Sequence, residues 1–370
     1  MKIAAGAAGA AAIAPMIAGT RPAFAQDDVW AGEPDMAKAA EQAQALVTYG
    51  MPADWANYGA VYEAFWTSLG IEGATLEANH TDTDMSSLEE ITKFDAEKAN
   101  PVAMFADIGM TFGPLATEKE VVPSYLPPLA ADLPDGYKGA TGGWVATFTG
   151  VPSFVINKKA IAEQGLPTPA SWQDLLDPAF KGKIGSPGDP TGSGTAQTTF
   201  IAWSYANGGD AQNMEPGVEF AKQIIQQYNT AGGSNDLLEK GEIVAWIRYD
   251  FNCQGSVKAL TEKGIDAETI IPSVSIYAPS ALMANKYNEA NADCIKAFMN
   301  FVLSDEAAAK FAEFGARPIR YVLGKQELAE EAKANLLPDE KYAGVVVVEN
   351  FTGVSASEIA DLWTEEVLGG

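Results

Sequence analysis

The sequence predicts an α/β fold in two lobes, each a mixed, mostly parallel sheet flanked by helices. Three observations carry this. Strand, loop and helix signals alternate three times between Ala45 and Ile108, the rhythm of a sheet whose strands are joined by crossover helices. After a proline- and glycine-rich interruption from Pro123 to Gly143 the alternation resumes. A chain of 370 residues, 47% hydrophobic and 20% charged, is long enough for two ordinary domains with full cores.

The first 25 residues stand apart from this pattern. Lys2 precedes a small, apolar run from Ile3 to Gly19, and Ala23-Phe24-Ala25 closes the segment. A basic start, an apolar middle and an A-x-A end describe a secretory signal cleaved after Ala25. Gly6, Gly9, Pro15 and Gly19 argue against a buried helix there. No later stretch reaches the roughly 18 uninterrupted apolar residues of a membrane span, and Gln26 and Asp27 rather than a lipid-bearing cysteine follow the cleavage point. The net charge is -25; loss of Lys2 and Arg21 takes it to -27. Such a chain repels phosphate backbones, which excludes nucleic acid as a partner. Cys253 and Cys294 lack the spacing of a metal knuckle. A single disulfide and two separate buried thiols both fit them.

Residues 26 to 42 are polar and alanine-rich, a tail or short helix that docks loosely. Ala45 to Tyr49 is a strand, and Gly50-Met51-Pro52 turns out of it. Apolar residues at helical spacing run from Trp55 through Tyr58, Val61, Tyr62, Phe65 and Trp66 to Leu69. An extended run from Ala74 to Asn79 leads into a polar loop, His80 to Asp84. Ser86 with Glu89 three residues on is a capping box for the next helix, and Met104 to Ile108 is the third strand. Beyond the interruption, strands are expected over Trp144 to Asn157, Ile184 to Ser186, Ile243 to Tyr249 and Ser273 to Tyr277. A helix starts at Thr195, and two more cover Ala290 to Leu303 and Glu306 to Phe314. Crossovers near 148–153 and 272–277 would form a hinge. The lobes are then 44–149 with 275–320, and 150–274, while 321–370 is a helical segment packed on them.

Several phrases resemble one family. Pro169-Ala170-Ser171-Trp172-Gln173-Asp174-Leu175-Leu176-Asp177-Pro178-Ala179-Phe180-Lys181-Gly182-Lys183-Ile184 is similar to a signature of bacterial extracellular solute-binding proteins. The subgroup is the one serving iron, thiamine, polyamine, phosphonate and sugar-phosphate importers. Val155 to Lys159 and Ala297 to Phe314 resemble its neighbouring strand and closing helix pair. The resemblance implies the type II periplasmic binding fold. It also implies a monomer in the periplasm that delivers a small molecule to an ABC permease in the inner membrane. Within the signature the residues read as structural: Ser171 caps a short helix and Trp172 packs it down.

Enzyme signatures are scarce. His80 is the sole histidine, so no paired-histidine zinc site can form. His80, Asp82 and Asp84 on one polar loop read as solvated more readily than as a metal site. No catalytic residue, metal or cofactor is expected. The turn from Gly188 to Thr195 has the character of an anion seat, with Ser193, Gly194 and Thr195 at a helix N-terminus; the resembled family lines its cleft with this loop. Arg248, Tyr249 and Asp250 end a strand where open α/β sheets bind ligands. Ferric-binding members carry adjacent tyrosines hereabouts. The run Arg248-Tyr249-Asp250-Phe251 has no such pair, and a guanidinium favours a carboxylate, phosphate or phosphonate. Pairing of Arg248 with Asp250 or another carboxylate is the structural alternative. Tyr49, Met51, Asp54 and Trp55 flank the first strand's loop, where aromatics and a carboxylate can enclose an amine; Tyr58 belongs to the core stripe. Asp84, Ser86, Asp107 and Tyr277 complete the candidates.

The expected function is therefore the substrate-binding component of an ABC importer, capturing a small organic anion or zwitterion (a phosphonate, phosphate ester or carboxylate) between the lobes. Ferric iron, thiamine or a polyamine are alternative cargoes. A secreted enzyme or a sensor subunit on the same fold are alternative roles.

Overall fold

Asp35 accepts the backbone N–H groups of Ala37 and Lys38 and so starts helix α1 (Met36–Gln42). In this computed structural model the described residues are 28–369, so the expected signal segment lies outside them. Helix α1 is firmly docked: Gln42 donates to the Ala290 carbonyl at 2.9 Å and accepts from Cys294 N–H at 2.8 Å. Strand β1 (Leu46–Tyr49) follows. Left-handed backbone at Ala56 and Asn57 (φ 46° and 72°) delays helix α2 to Tyr58–Ser68. That break takes Trp55 off the buried stripe and leaves it in the preceding turn.

The next stretch differs from the expected extended run. Thr75 caps a short helix α3 (Leu76–Asn79), and the polar residues after it form strand β2 (His80–Thr83). The physical reason is position. Strand β2 lies at the sheet's edge, where neither face is fully covered, so it carries no apolar alternation. The capping box is present: the Glu89 carboxylate accepts from both the N–H and the hydroxyl of Ser86 at 2.8 Å. Helix α4 (Ser87–Ala96), strand β3 (Phe105–Gly109) and helix α5 (Gly113–Glu118) come next. The run from Trp144 to Asn157 is two strands, β4 (Trp144–Gly150) and β5 (Pro152–Asn157).

Asn157 caps α6 (Lys158–Glu163). Then come β6 (Ile184–Gly185), α7 (Gly194–Ala206), α8 (Glu215–Ile224), α9 (Asn235–Lys240) and β7 (Ala245–Tyr249). Helix α10 (Asp250–Glu262), β8 (Ala267–Ile270), β9 (Ser275–Ile276) and β10 (Ala278–Ala284) lead into α11 (Ala292–Phe301) and α12 (Asp305–Glu313). The chain closes with β11 (Arg317–Pro318), α13 (Ile319–Val322), α14 (Glu330–Lys333), β12 (Val345–Val346) and α15 (Ala356–Asp361).

The first sheet has the order β11-β4-β10-β3-β1-β2. Strands β1 to β4 all point one way, and β10 and β11 run against them. The second sheet is β6-β7-β5-β8, in which only β5 opposes the other three. The chain enters the second sheet through Val151, between β4 and β5, and returns to the first between β9 and β10. Two α/β lobes result, each with its helices packed on its sheet. Strand β12 pairs in parallel with β9 beside the returning crossover. Further along, the tail accepts from the Tyr137 hydroxyl at the Val348 carbonyl and from the Gln197 amide at the Ala356 carbonyl.

Trp66, Trp144, Trp172 and Trp203 are among the largest wholly buried side chains. Cys253 and Cys294 are free, buried thiols on α10 and α11, so the two-thiol alternative holds.

Candidate functional site

Two helix starts from opposite lobes face each other. The Ser86–Ser87 start of α4 comes from the first lobe and the Ser193–Thr195 start of α7 from the second. Ser193 spends its hydroxyl on Ala196 N–H, while Gly194 and Thr195 contribute first-turn amides, which have no acceptor inside a helix. The lobes meet backbone to backbone. A Cβ on Gly109, at the end of β3, would lie 2.6 Å from the Gly194 Cα. Leu88 N–H reaches the Gly192 carbonyl at 3.4 Å, and Thr111 donates to the Gln197 side-chain oxygen at 2.5 Å.

Between these starts lies a cavity of about 160 Å³. Trp55, Asp84, Ser86, Asp107, Ser193, Gly194, Thr195 and Tyr249, all expected at the site, line it. Asp107 ends up buried at 7% exposure, with Oδ2 accepting the Trp55 indole N–H at 2.5 Å and Oδ1 without a hydrogen-bond partner. Burial drives its pKa up to about 8, although Trp55 and Ser280 oppose the shift. Tyr249 donates to or accepts from Thr198 at 2.9 Å, and burial lifts its phenol to about 12. A second cavity of about 340 Å³ shares Trp55, Ser193 and Thr195 as a common wall. Arg248 lines this one, stacked over Trp246 at 3.8 Å and donating to Ser256 Oγ at 2.8 Å. Its partners are neutral groups, not the carboxylate that the structural alternative supposed.

Five expected residues are placed elsewhere. Tyr49 gives its hydroxyl to Glu97 at 2.7 Å and its ring to Phe94. Met51 is wholly buried, held by Asp82 through its N–H and by the Tyr62 hydroxyl through its carbonyl. Asp54 is exposed and lines neither cavity. Asp250 opens α10 instead of ending the strand, with Oδ1 accepting Val151 N–H at 2.8 Å and Oδ2 the Tyr342 hydroxyl. Both its oxygens are thus taken by the crossover and the tail. Tyr277 stacks in parallel on Tyr342, ring centroids 6.1 Å apart, for the same reason.

The His80 loop is also structural. Thr48 Oγ1 donates to Asp82 at 2.7 Å and lies 2.9 Å from His80 Nε2. Having one proton to give, Thr48 must accept from Nε2, which fixes the histidine tautomer. Among the described residues no group of three or more His, Cys, Asp and Glu is placed to hold a metal ion.

Sequence reading missed Glu90. It is 1% exposed, lines the first cavity, and its Oε2 has no hydrogen-bond partner. Burial, with Asp107 next in importance, raises its pKa well above the ordinary carboxyl range. The signal was present: Ser87, Glu90, Ile91 and Phe94 are the buried stripe of α4, a 3-4-7 spacing that put a carboxyl among core residues. Gly50 makes room for it. Its φ is +61°, and a Cβ there would fall 1.8 Å from Glu90 Oε1.

A family model described as bacterial extracellular solute-binding protein matches residues 104–344. No curated protein matches this chain. Among solved structures, the periplasmic binding protein AfuA from Actinobacillus pleuropneumoniae, with fructose-6-phosphate bound, is similar at TM-score 0.68 and 18% identity, over 88% of this chain and 99% of that one. The periplasmic binding protein P5PA gives 0.64 and 23%, over 87% and 99%. MotA from A. tumefaciens B6, in complex with glucopine, gives 0.64 and 17%, over 88% and 99%. At these identities the likeness is one of fold.

Proposed function

This chain belongs to the bacterial extracellular solute-binding proteins, and from that premise we propose that it captures a small organic anion or zwitterion for an ABC permease in the inner membrane. The mature protein would work in the periplasm after cleavage at Ala25. The observation that carries the ligand class is the meeting of two helix N-termini from opposite lobes on one cavity that adjoins the space lined by Arg248. Helix starts and a guanidinium both favour negative charge. A phosphonate, phosphate ester or carboxylate suits them. Among proteins of this fold, AfuA holds fructose-6-phosphate and MotA glucopine.

The lobes, 44–149 with 275–320 and 150–274, would close on the ligand about the two crossovers, with 321–370 packed against them. Binding then shifts an open-to-closed equilibrium, and the closed form is what a permease would read. Ferric iron fits less well. Tyr249 is a buried phenol tied to Thr198, and the next residue is Asp250, turned away towards Tyr342.

In a thermal-shift and calorimetric screen of phosphonates, phosphate esters, carboxylates and amino acids, at least one compound is expected to stabilise the mature protein. The gain is about 2.7 kcal/mol at a hundredfold excess over Kd. A response to ferric iron alone would sink this reading.

Arg248→Ala should weaken that ligand roughly ten- to a hundredfold, the effect of losing one charge-assisted contact. Because Arg248 also holds Ser256 and covers Trp246, the same variant should lose about 1 kcal/mol in urea titration. Arg320→Ala is the control: Arg320 pairs with Asp132 at 3.1 Å and lines neither cavity, so binding should be unchanged.

A further inference from the structure

Three acidic residues, Asp84, Glu90 and Asp107, line the first cavity, and among the described residues lining it none is basic. Glu90 and Asp107 are each more than nine-tenths buried, and each leaves one carboxyl oxygen, Oε2 and Oδ1, without a hydrogen-bond partner. The large majority of buried side-chain polar atoms are paired in folded proteins. Two unpartnered carboxyl oxygens converging on the wall of one cavity are placed to accept from a donor the chain itself does not supply. Trp55 adds an aromatic wall beside them, and aromatic faces attract cations.

The α4 start at Ser86 and Ser87 shares the first cavity with this pair, and the other anion-favouring groups lie to one side. Ser193 and Thr195 belong to both cavities, and Arg248 to the second alone. All three carboxylates thus lie in the first cavity, whereas the α7 start is shared and the one guanidinium lies beyond it.

We propose that Glu90 and Asp107 clasp an ammonium group, so that the ligand is a small amino acid or aminoalkyl phosphonate lying with its amine in the first cavity and its acid at the α7 start, towards Arg248. This deepens the anion-or-zwitterion reading above and rests on it. Gly50 is part of the clasp, because any side chain there would displace the Glu90 carboxyl.

The clasp carries a pH signature. Asp107 faces Glu90 of α4, Tyr58 and Tyr62 of α2, Tyr249 of β7, Trp55 and Ser280 of β10; Glu90 in turn feels Asp82, Asp84 and Glu89. None of these is a cation, and burial raises both carboxyls, Asp107 to about 8, so that Asp107 is protonated in the empty site at pH 6. An ammonium requires them ionised, and each proton released makes binding tighter by about tenfold per pH unit. Affinity should therefore rise from pH 6 to pH 8. A neutral carboxyl donating to an anion would give the opposite slope.

The test is calorimetry on the wild-type mature protein with matched pairs: 4-aminobutanoate against butanoate, and 2-aminoethylphosphonate against ethylphosphonate. The amine-bearing member of a pair is expected to bind at least tenfold tighter, and more tightly at pH 8 than at pH 6. In Glu90→Gln and Asp107→Asn the advantage of the amine should shrink while the amine-free member keeps its affinity. Equal binding of both members to the wild type overturns the clasp and leaves the anion reading standing. If neither these pairs nor any other acid in the screen binds, the reading beneath it falls as well. The wild-type pairs decide the matter even if a variant does not fold.

Discussion

Gly109→Ala is expected to weaken ligand binding by roughly ten- to a hundredfold while the unliganded protein keeps its melting temperature. The added Cβ would stand 2.6 Å from the Gly194 Cα, and a Cβ on Gly194 would meet the Gly109 Cα at 2.7 Å. Both sides of that contact are backbone, so no side chain can swing aside. Gly109 has φ -62° and ψ 145°, a conformation open to any residue, and so the substitution brings no local strain. Its cost falls on the state in which the lobes touch. Overpacking of this kind costs about 1–3 kcal/mol, which appears as lost affinity if closure and binding are coupled. Calorimetry and a thermal melt on the same preparation check it. A drop in melting temperature with unchanged affinity would mean that β3 and α7 touch permanently and that the lobes do not part there.

Trp172→Ala should cost about 3–5 kcal/mol of stability, the range for removing a large aromatic from a core. Trp172 is 1% exposed, packs against Phe154 and Trp203, and donates its indole N–H to the Val274 carbonyl at 3.2 Å. Val274 immediately precedes β9 on the returning crossover, so the indole anchors the second lobe and also the strand that leaves it. Truncation opens a cavity and strips a buried carbonyl of its donor. Urea titration measures the loss, and the fraction that folds should bind ligand with parental affinity. Parental stability with abolished binding would place Trp172 in the site and out of the core.

Much of this molecule was legible because its elements carry strong local signals. The Ser86–Glu89 box, the stripe from Tyr58 to Trp66 and the glycine-rich turn before α7 each state their structure within a few residues. The places of Asp107 and Tyr249 followed from strand ends, where α/β sheets bind ligands, and that of the α7 start from its glycine-rich turn at a helix N-terminus. Failures came where the deciding partner is remote. Asp250 looked like the end of a strand, but Val151 and Tyr342, 99 and 92 residues away, claim its oxygens. Strand β2 was hidden because edge strands need no apolar alternation. Glu90 was passed over although its spacing with Ile91 and Phe94 was in plain view, because a helix's buried face is read for its apolar members and the charged one is set aside.

The arrangement of the indoles has an optical consequence. Six of the eight tryptophans are buried, four of them in the lobes, while Trp55 and Trp246, the two half-buried ones, both line the second cavity. Trp55 lies against Tyr249 and Phe251 across the lobe boundary, and Trp246 lies under the Arg248 guanidinium. If the lobes part as proposed, these two indoles are the ones placed to exchange protein for water. The intrinsic emission of the unlabelled protein is then expected to report cleft opening against a steady background, and stopped flow without an attached dye would follow the rate of closure.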